Sequence, residues 1–179
     1  SNDGIHWDVR RESVMNPDEP WEKNSLYCPH VIWDEEKNSY RMCYSGGEQY
    51  ECDSIGYAES KDGIQWNKYN KNPIFTADKN KFWEALKTEA CCVVREQDYF
   101  YMFYLGISAD RTASIGIARS RDGITGWERH PDNPVVAGTD GSWDYLGVCK
   151  PFVLKTDDGF LMWYNGCNQS EGEGQVKEE

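Results

Sequence analysis

A short motif recurs at a fixed step, and that period constrains the fold more than any single residue does. Ser1-Asn2-Asp3-Gly4-Ile5-His6-Trp7 returns 59 residues later as Ser60-Lys61-Asp62-Gly63-Ile64-Gln65-Trp66. A third copy, Ser120-Arg121-Asp122-Gly123-Ile124-Thr125-Gly126-Trp127, follows after another 60. Met42, Met102 and Met162 keep the same step, and so do Gly46, Gly106 and Gly166. Trp21-Glu22, Trp83-Glu84 and Trp143-Asp144 recur at 62 and 60. Unrelated motifs that share one period describe an array of one supersecondary unit, stacked so that neighbours bury each other's apolar faces.

Each unit reads as four short strands. In the second unit these fall at 91–95, 99–105, 114–118 and 127–130. The Asp-Gly dipeptides supply the positive φ that tight turns need. Ser54-Ile55-Gly56-Tyr57-Ala58 and Ser114-Ile115-Gly116-Ile117-Ala118 alternate large with small, which predicts a face that another sheet approaches closely. Four antiparallel strands per roughly 60 residues, apolar on both faces, predict an all-β fold built of β-propeller blades. A β-sandwich would show polar alternation in the second strand, and the second and third units lack it.

The expected domain is 1–169, with repeats at about 8–67, 68–127 and 128–169. Residues 5–10 are expected to form the outermost strand of a preceding blade. Where a third strand of the last unit would fall, Gly174-Gln175-Val176-Lys177-Glu178 has lost the pattern, and 170–179 reads as an acidic tail in loop or disorder. This inventory is about half of a propeller. It predicts either a piece of a longer protein or a homo-oligomer, in which a second copy completes the ring head to tail.

Nineteen basic against 31 acidic residues give a net charge of −12, which speaks against nucleic acid and an anionic membrane surface. No apolar run approaches the roughly 20 residues that span a bilayer, and no signal-peptide pattern precedes the first motif. Seven cysteines without a C-x-x-C pair read as small buried hydrophobes of a reducing compartment. The aromatic share of 14% serves a core or a sugar platform equally well.

Trp83-Glu84, Tyr104-x-Gly106, Ser114-Ile115-Gly116-x-Ala118-x-Ser120-x-Asp122-Gly123-Ile124 and the dipeptides Asn72-Pro73 and Asn133-Pro134 resemble the five-bladed propellers of the glycoside hydrolase family 43, 32, 68 and 130 group, most closely family-43-like proteins. The resemblance runs to about Gly166. It implies a carbohydrate-active protein that hydrolyses glycosidic bonds in plant-type or fructan polysaccharides and oligosaccharides, and a secreted or periplasmic setting. The Ser-x-Asp-Gly element is also similar to the Asp box of sialidases, one residue shorter. The other reading is a non-catalytic carbohydrate-binding or scaffold propeller, with aromatic faces such as Tyr27, Trp33 or Trp163 at its mouth.

A blade is entered by its innermost strand, so first-strand starts share one rim with the loops at 46–54, 106–114 and 166–173. Residues repeated in every unit serve packing; a site residue should break the pattern on that rim. Aligned first-strand starts are Tyr27-Cys28-Pro29, Glu89-Ala90-Cys91 and Cys149-Lys150-Pro151, and only Glu89 is acidic. The resemblance implies that Glu89 is the general acid, with Cys91 where the family has Pro. It also implies a pKa-tuning Asp near Tyr27-Cys28, where this chain has no acid, and a base Asp from a blade upstream of Ser1. Lys150 can pair with Glu89, and Tyr27, Lys150, Asp110, Arg111 and Trp163 are the substrate-binding candidates. No metal-ligand spacing is present; a family-type axial Ca²⁺ has no oxygen cluster in the sequence to hold it, so no cofactor is expected.

Overall fold

A computed structural model describes residues 1–49 and 51–168, with Glu51 described by its backbone alone. Over the described residues the chain is all-β, with two single-turn 3₁₀ helices at Pro20–Glu22 and Phe82–Glu84. The first blade comprises β1 (Ser25–Asp34), β2 (Ser39–Glu48), β3 (Glu51–Ser60), β4 (Asn67–Lys68) and β5 (Phe75–Thr76), in the order β1-β2-β3-β4 with β5 also on β3. The second repeats it with β6 (Lys87–Glu96), β7 (Tyr99–Ile107), β8 (Ala113–Ser120), β9 (Glu128–Arg129) and β10 (Val136–Ala137). The third contributes β11 (Gly147–Thr156) and β12 (Gly159–Cys167), and touches β8 through one parallel pairing, Gly147 with Ala113.

The core lies between blades. Cys43, Ile55, Tyr57 and Phe75 of the first meet Cys91, Val93, Phe100, Met102, Tyr104 and Ala118 of the second. On the second blade's other face, Cys92 and Phe103 pack on Val153 and Met162 of the third. A sheet that is apolar on both faces is stable only when both are covered, which is why the strands show no polar alternation.

The repeated motifs are the joints of each blade. The Trp21 indole lies over Gly46 and Gly56, where a Cβ would come within 2.5 and 2.6 Å of the ring; Trp83 lies over Gly106 and Gly116 at 2.3 Å each, and Trp143 over Gly166 at 2.3 Å. This corrects the expectation for the large–small alternation. What approaches Gly56 and Gly116 is an indole delivered by the 3₁₀ turn, not a neighbouring sheet. The acid after each Trp takes the second-strand tyrosine: Tyr44 donates to Glu22 at 2.8 Å, and Tyr164 to Asp144 at 3.2 Å. Glu84, fully buried, accepts from Arg129 at 2.7 Å, and burial raises its pKa. Asn72 and Asn133, each before a cis proline, complete the third strand: the Tyr57 and Ile117 amides donate to their side-chain oxygens at 2.9 Å.

The Asp-Gly turn is self-contained. Asp62 accepts the Ile64 and Gln65 amides at 2.8 Å, Gly63 has φ +73°, and the Trp66 indole donates to the Gly63 carbonyl. Asp3, Gly4 and Trp7 reproduce these bonds with no blade around them. The strand expected at 5–10 does not form. A fourth strand pairs with the third strand of its own blade, as β4 does with β3, and residues 1–18 contain none. Ile5, Trp7 and Val9 are correspondingly exposed. The extra Gly126 of the third copy leaves the buried Trp127 indole N–H without a partner. The expected acidic tail lies outside the described residues.

Candidate active site

Each first strand breaks its pairing with the second at the same place: between Tyr27 and His30, Glu89 and Cys92, Cys149 and Phe152. The first of the two residues inside each bulge, Cys28, Ala90 or Lys150, has φ of +48°, +46° or +52°. Non-glycine residues in that region cost on the order of 1–3 kcal/mol and persist only where the surroundings enforce them. One enforcing contact spans the blades: the Ala90 amide donates to the buried Ser45 hydroxyl at 2.8 Å. A second runs across all three first strands. The Val93 amide donates to His30 Nδ1 at 3.2 Å, His30 Nε2 lies 3.3 Å from Cys92 Sγ, and the Val153 amide donates to that sulfur at 3.3 Å. Bulges re-aim side chains, and here three of them stand side by side on one rim.

Glu89 sits on this rim, half-buried, beside the fully buried Thr88. Burial raises the carboxyl pKa; the ammonium groups of Lys87 and then Lys150 pull it down, the Asp53 carboxylate pushes it up, and the outcome is a raised value. Lys87 lies two residues before Glu89 on the same face of β6, and its own pKa is lowered, first by burial and next, against the pull of Glu89, by Arg111 and Lys23. Asp53 Oδ2 accepts from Lys23 at 3.1 Å and its Oδ1 accepts from Ser54 at 2.8 Å. Three thiols complete the surroundings: Cys28, Cys52 and Cys149 all feel the Glu89 charge, and burial raises each pKa.

Of the residues expected at the site, Lys150 lies near enough to Glu89 to lower its pKa, whereas Arg111 (φ +68°) bears on Lys87 and not on Glu89. Asp110 is taken up by its own loop. The Ser108 hydroxyl donates to it, the Thr112 amide does so at 3.3 Å, and these bonds lower its pKa. Tyr27 lines a cleft of about 140 Å³ with Met15, Met42 and Tyr44, on the first blade's far face. Trp163 is 54% exposed beside Phe152, on the third blade's face turned from the second, opposite to Met162. Trp33 stands edge-on to Tyr40 at the far end of β1, on the other rim. Asp53 and Lys87 were not singled out from the sequence. Asp53 lies in the 46–54 loop region and replaces Ala113 of the second unit, so the pattern-breaking criterion does find it. No group of three or more His, Cys, Asp or Glu among the described residues is arranged to hold a metal ion.

A stability measurement checks the environment of Glu89. Its folded pKa lies above the unfolded value, so below the unfolded pKa the native and unfolded carboxyls are both protonated and nothing is lost. As pH rises past that point the native state holds a proton the unfolded state gives up, and stability falls until the raised pKa is passed. Glu89→Gln is therefore expected to match the parent near pH 4 and to melt increasingly above it toward pH 7. A melting difference that does not change with pH would refute the assignment.

No family model matches the chain. It is 30% identical over 150 residues to the uncharacterized protein MT1551 of Mycobacterium tuberculosis (strain CDC 1551 / Oshkosh), covering 79% of this chain and 46% of that protein. A solved glycoside hydrolase superposes with a TM-score of 0.67 at 23% identity, over 90% of this chain and 53% of its own. The β-1,2-mannobiose phosphorylase from Listeria innocua, in complex with β-1,2-mannobiose, gives a TM-score of 0.73 at 16% identity, over 94% and 44%. A thermostable family-43 glycoside hydrolase gives 0.57 at 17%, over 78% and 41%. The chain spans about half the length of the proteins it matches. It has the fold of the family-43-like five-bladed propellers, of which it forms a part. The fold is thus one used by carbohydrate-active enzymes, hydrolases and phosphorylases among them.

Proposed function

We propose that this chain supplies the proton donor of a glycoside-cleaving propeller acting on plant-type or fructan glycans, and that the donor is Glu89. A glycosidic oxygen leaves once it is protonated, so the donor must hold its proton near neutral pH. The observation that carries the reading is the placement of Glu89: at the bulge of an innermost strand, sheltered, with its pKa raised by burial. Asp53 takes the tuning role, its negative charge favouring the protonated form of Glu89. Lys87 and Lys150 stabilise the carboxylate left after transfer. The base that activates water belongs, in this reading, to the part of the propeller beyond this chain's span.

Comparing Glu89→Gln with its parent on arabinosides, xylosides and fructosides, each within the complete propeller that carries the base, tests it. The expected loss in rate is about 10²- to 10⁴-fold, and an unchanged rate rules Glu89 out as donor. A second reading, a non-catalytic sugar-binding propeller, draws on the engagement of Asp53 by Lys23 and on the lack of an acid at Tyr27-Cys28 and Cys149-Lys150. It predicts saccharide binding with no turnover in either protein.

A further inference from the structure

The bulge that presents Glu89 is held at both ends by the first blade. Pairing of β6 with β7 stops at Glu89 and resumes at Cys92. Just after Glu89, the Ala90 amide donates to Ser45 Oγ at 2.8 Å; just after Cys92, the Val93 amide donates to His30 Nδ1 at 3.2 Å. A neutral imidazole that accepts at Nδ1 carries its proton on Nε2, and His30 Nε2 lies 3.3 Å from Cys92 Sγ. His30 thus meets the far end of the bulge through both ring nitrogens, and burial lowers its pKa, which favours this neutral form. Neither anchor is a packing requirement of every blade. Ser45 and Leu105 stand opposite Tyr27 and Glu89 in their strand pairs, and His30, Cys92 and Phe152 are the residues where pairing resumes. At the second joint the Cys92 sulfur takes the Val153 amide, but Leu105 offers the Lys150 amide no acceptor. Of the two joints between described blades, only the one behind Glu89 has both anchors.

The backbone between the anchors needs them. Ala90 has φ +46°, and a non-glycine residue keeps such a conformation only while its surroundings impose it. Losing an anchor lets Ala90 relax, which turns the adjoining Glu89. We infer that Ser45 and His30 are positioning residues for Glu89: by fixing the β6 bulge from the neighbouring blade they aim its carboxyl. The inference rests on the reading of Glu89 as proton donor. A misplacement of about 1 Å at a reacting group can cost about 10²-fold in rate, so the aim of a donor is worth two dedicated hydrogen bonds.

Ser45→Ala, His30→Leu and His30→Asn, each made in the complete propeller, test this through kcat and KM on an unactivated oligosaccharide and on its dinitrophenyl counterpart. Ser45→Ala and His30→Leu are expected to lower kcat about 10- to 100-fold on the oligosaccharide, with KM little changed and the dinitrophenyl substrate nearly unaffected. His30→Asn keeps an acceptor near the place of Nδ1 and should stay within a few-fold of the parent. Equal losses on both substrates, no loss on either, or an Asn variant as impaired as the Leu variant would overturn the inference; if the His30 variants do not fold, Ser45→Ala decides alone. Titration of the Glu89 carboxyl by ¹³C NMR in the same proteins separates this proposal from the one beneath it. Its pKa should move toward the ordinary glutamate value in Ser45→Ala and His30→Leu as the carboxyl turns to solvent. If Glu89→Gln leaves the rate unchanged, the donor reading falls and this titration decides the positioning: a shifted pKa upholds it, and an unshifted one overturns it.

Discussion

Trp83→Ala is expected to destabilise the protein by about 3–5 kcal/mol, a large part of the roughly 5–15 kcal/mol that holds a domain together. The indole packs 5.6 Å from the Tyr104 ring and fills the space over Gly106 and Gly116, where a Cβ would lie 2.3 Å from it. Urea unfolding should show a much lower midpoint. The companion test is Gly116→Ala, which pushes a methyl into the ring and should itself cost about 1–3 kcal/mol. Combined, the two should cost less than their sum, because the alanine methyl then occupies room the indole has left. Additive effects would mean that the Trp–Gly contact does not order the blade.

Arg41→Met is the second substitution with a large expected effect, about 3–5 kcal/mol. Arg41 and Asp34 are paired at 3.0 Å with side chains each 4% exposed, and the guanidinium also donates to the Asp122 carbonyl of the second blade's turn. It lies over the Phe100 ring at 4.3 Å and the Tyr57 ring at 5.1 Å. One side chain thus binds a hairpin of the first blade to a turn of the second, and its loss strands a buried carboxylate. Burial works to raise the Asp34 pKa, but the Lys37 amide and Arg41 hold it low. The stability from this pair is present above the unfolded pKa and fades as pH falls through the folded one. The gap between Arg41→Met and parent should therefore narrow in acid. The double variant Asp34→Asn, Arg41→Met should recover part of the loss; no recovery would place the cost elsewhere.

The blade was legible in the sequence because its signals are local. The Asp-Gly turn closes on its own side chains, so the motif marks it even at residues 1–7, where no strand follows. Trp83, Glu84 and Asn133 repeat because every blade needs an indole over two glycines, an acid for its tyrosine, and a side chain along its third strand. What the period could not give is pairing. Residues 5–10 have the composition of a strand and lack a partner. Counting by twos also fails across a first-strand bulge, and the period does not say which face a side chain takes: Trp163 stands on an outer face and Tyr27 in a separate cleft. Glu89 stands out in the sequence as the one acid among the aligned first-strand starts, Lys150 as its possible partner and Arg111 as a cation of the 106–114 loop. Asp53 also breaks the repeat but sits where a third strand begins, outside the aligned first-strand starts, and Lys87 shows its proximity to Glu89 only through strand geometry.

The most direct test of the central claim is the dependence of the Glu89→Gln rate on the leaving group. A proton donor matters for a poor leaving group and little for one that departs unaided. In the complete propeller, base included, the account predicts that the variant loses about 10²- to 10⁴-fold on an unactivated oligosaccharide and far less on the corresponding dinitrophenyl glycoside. Equal losses on both substrates, or none on either, would contradict it.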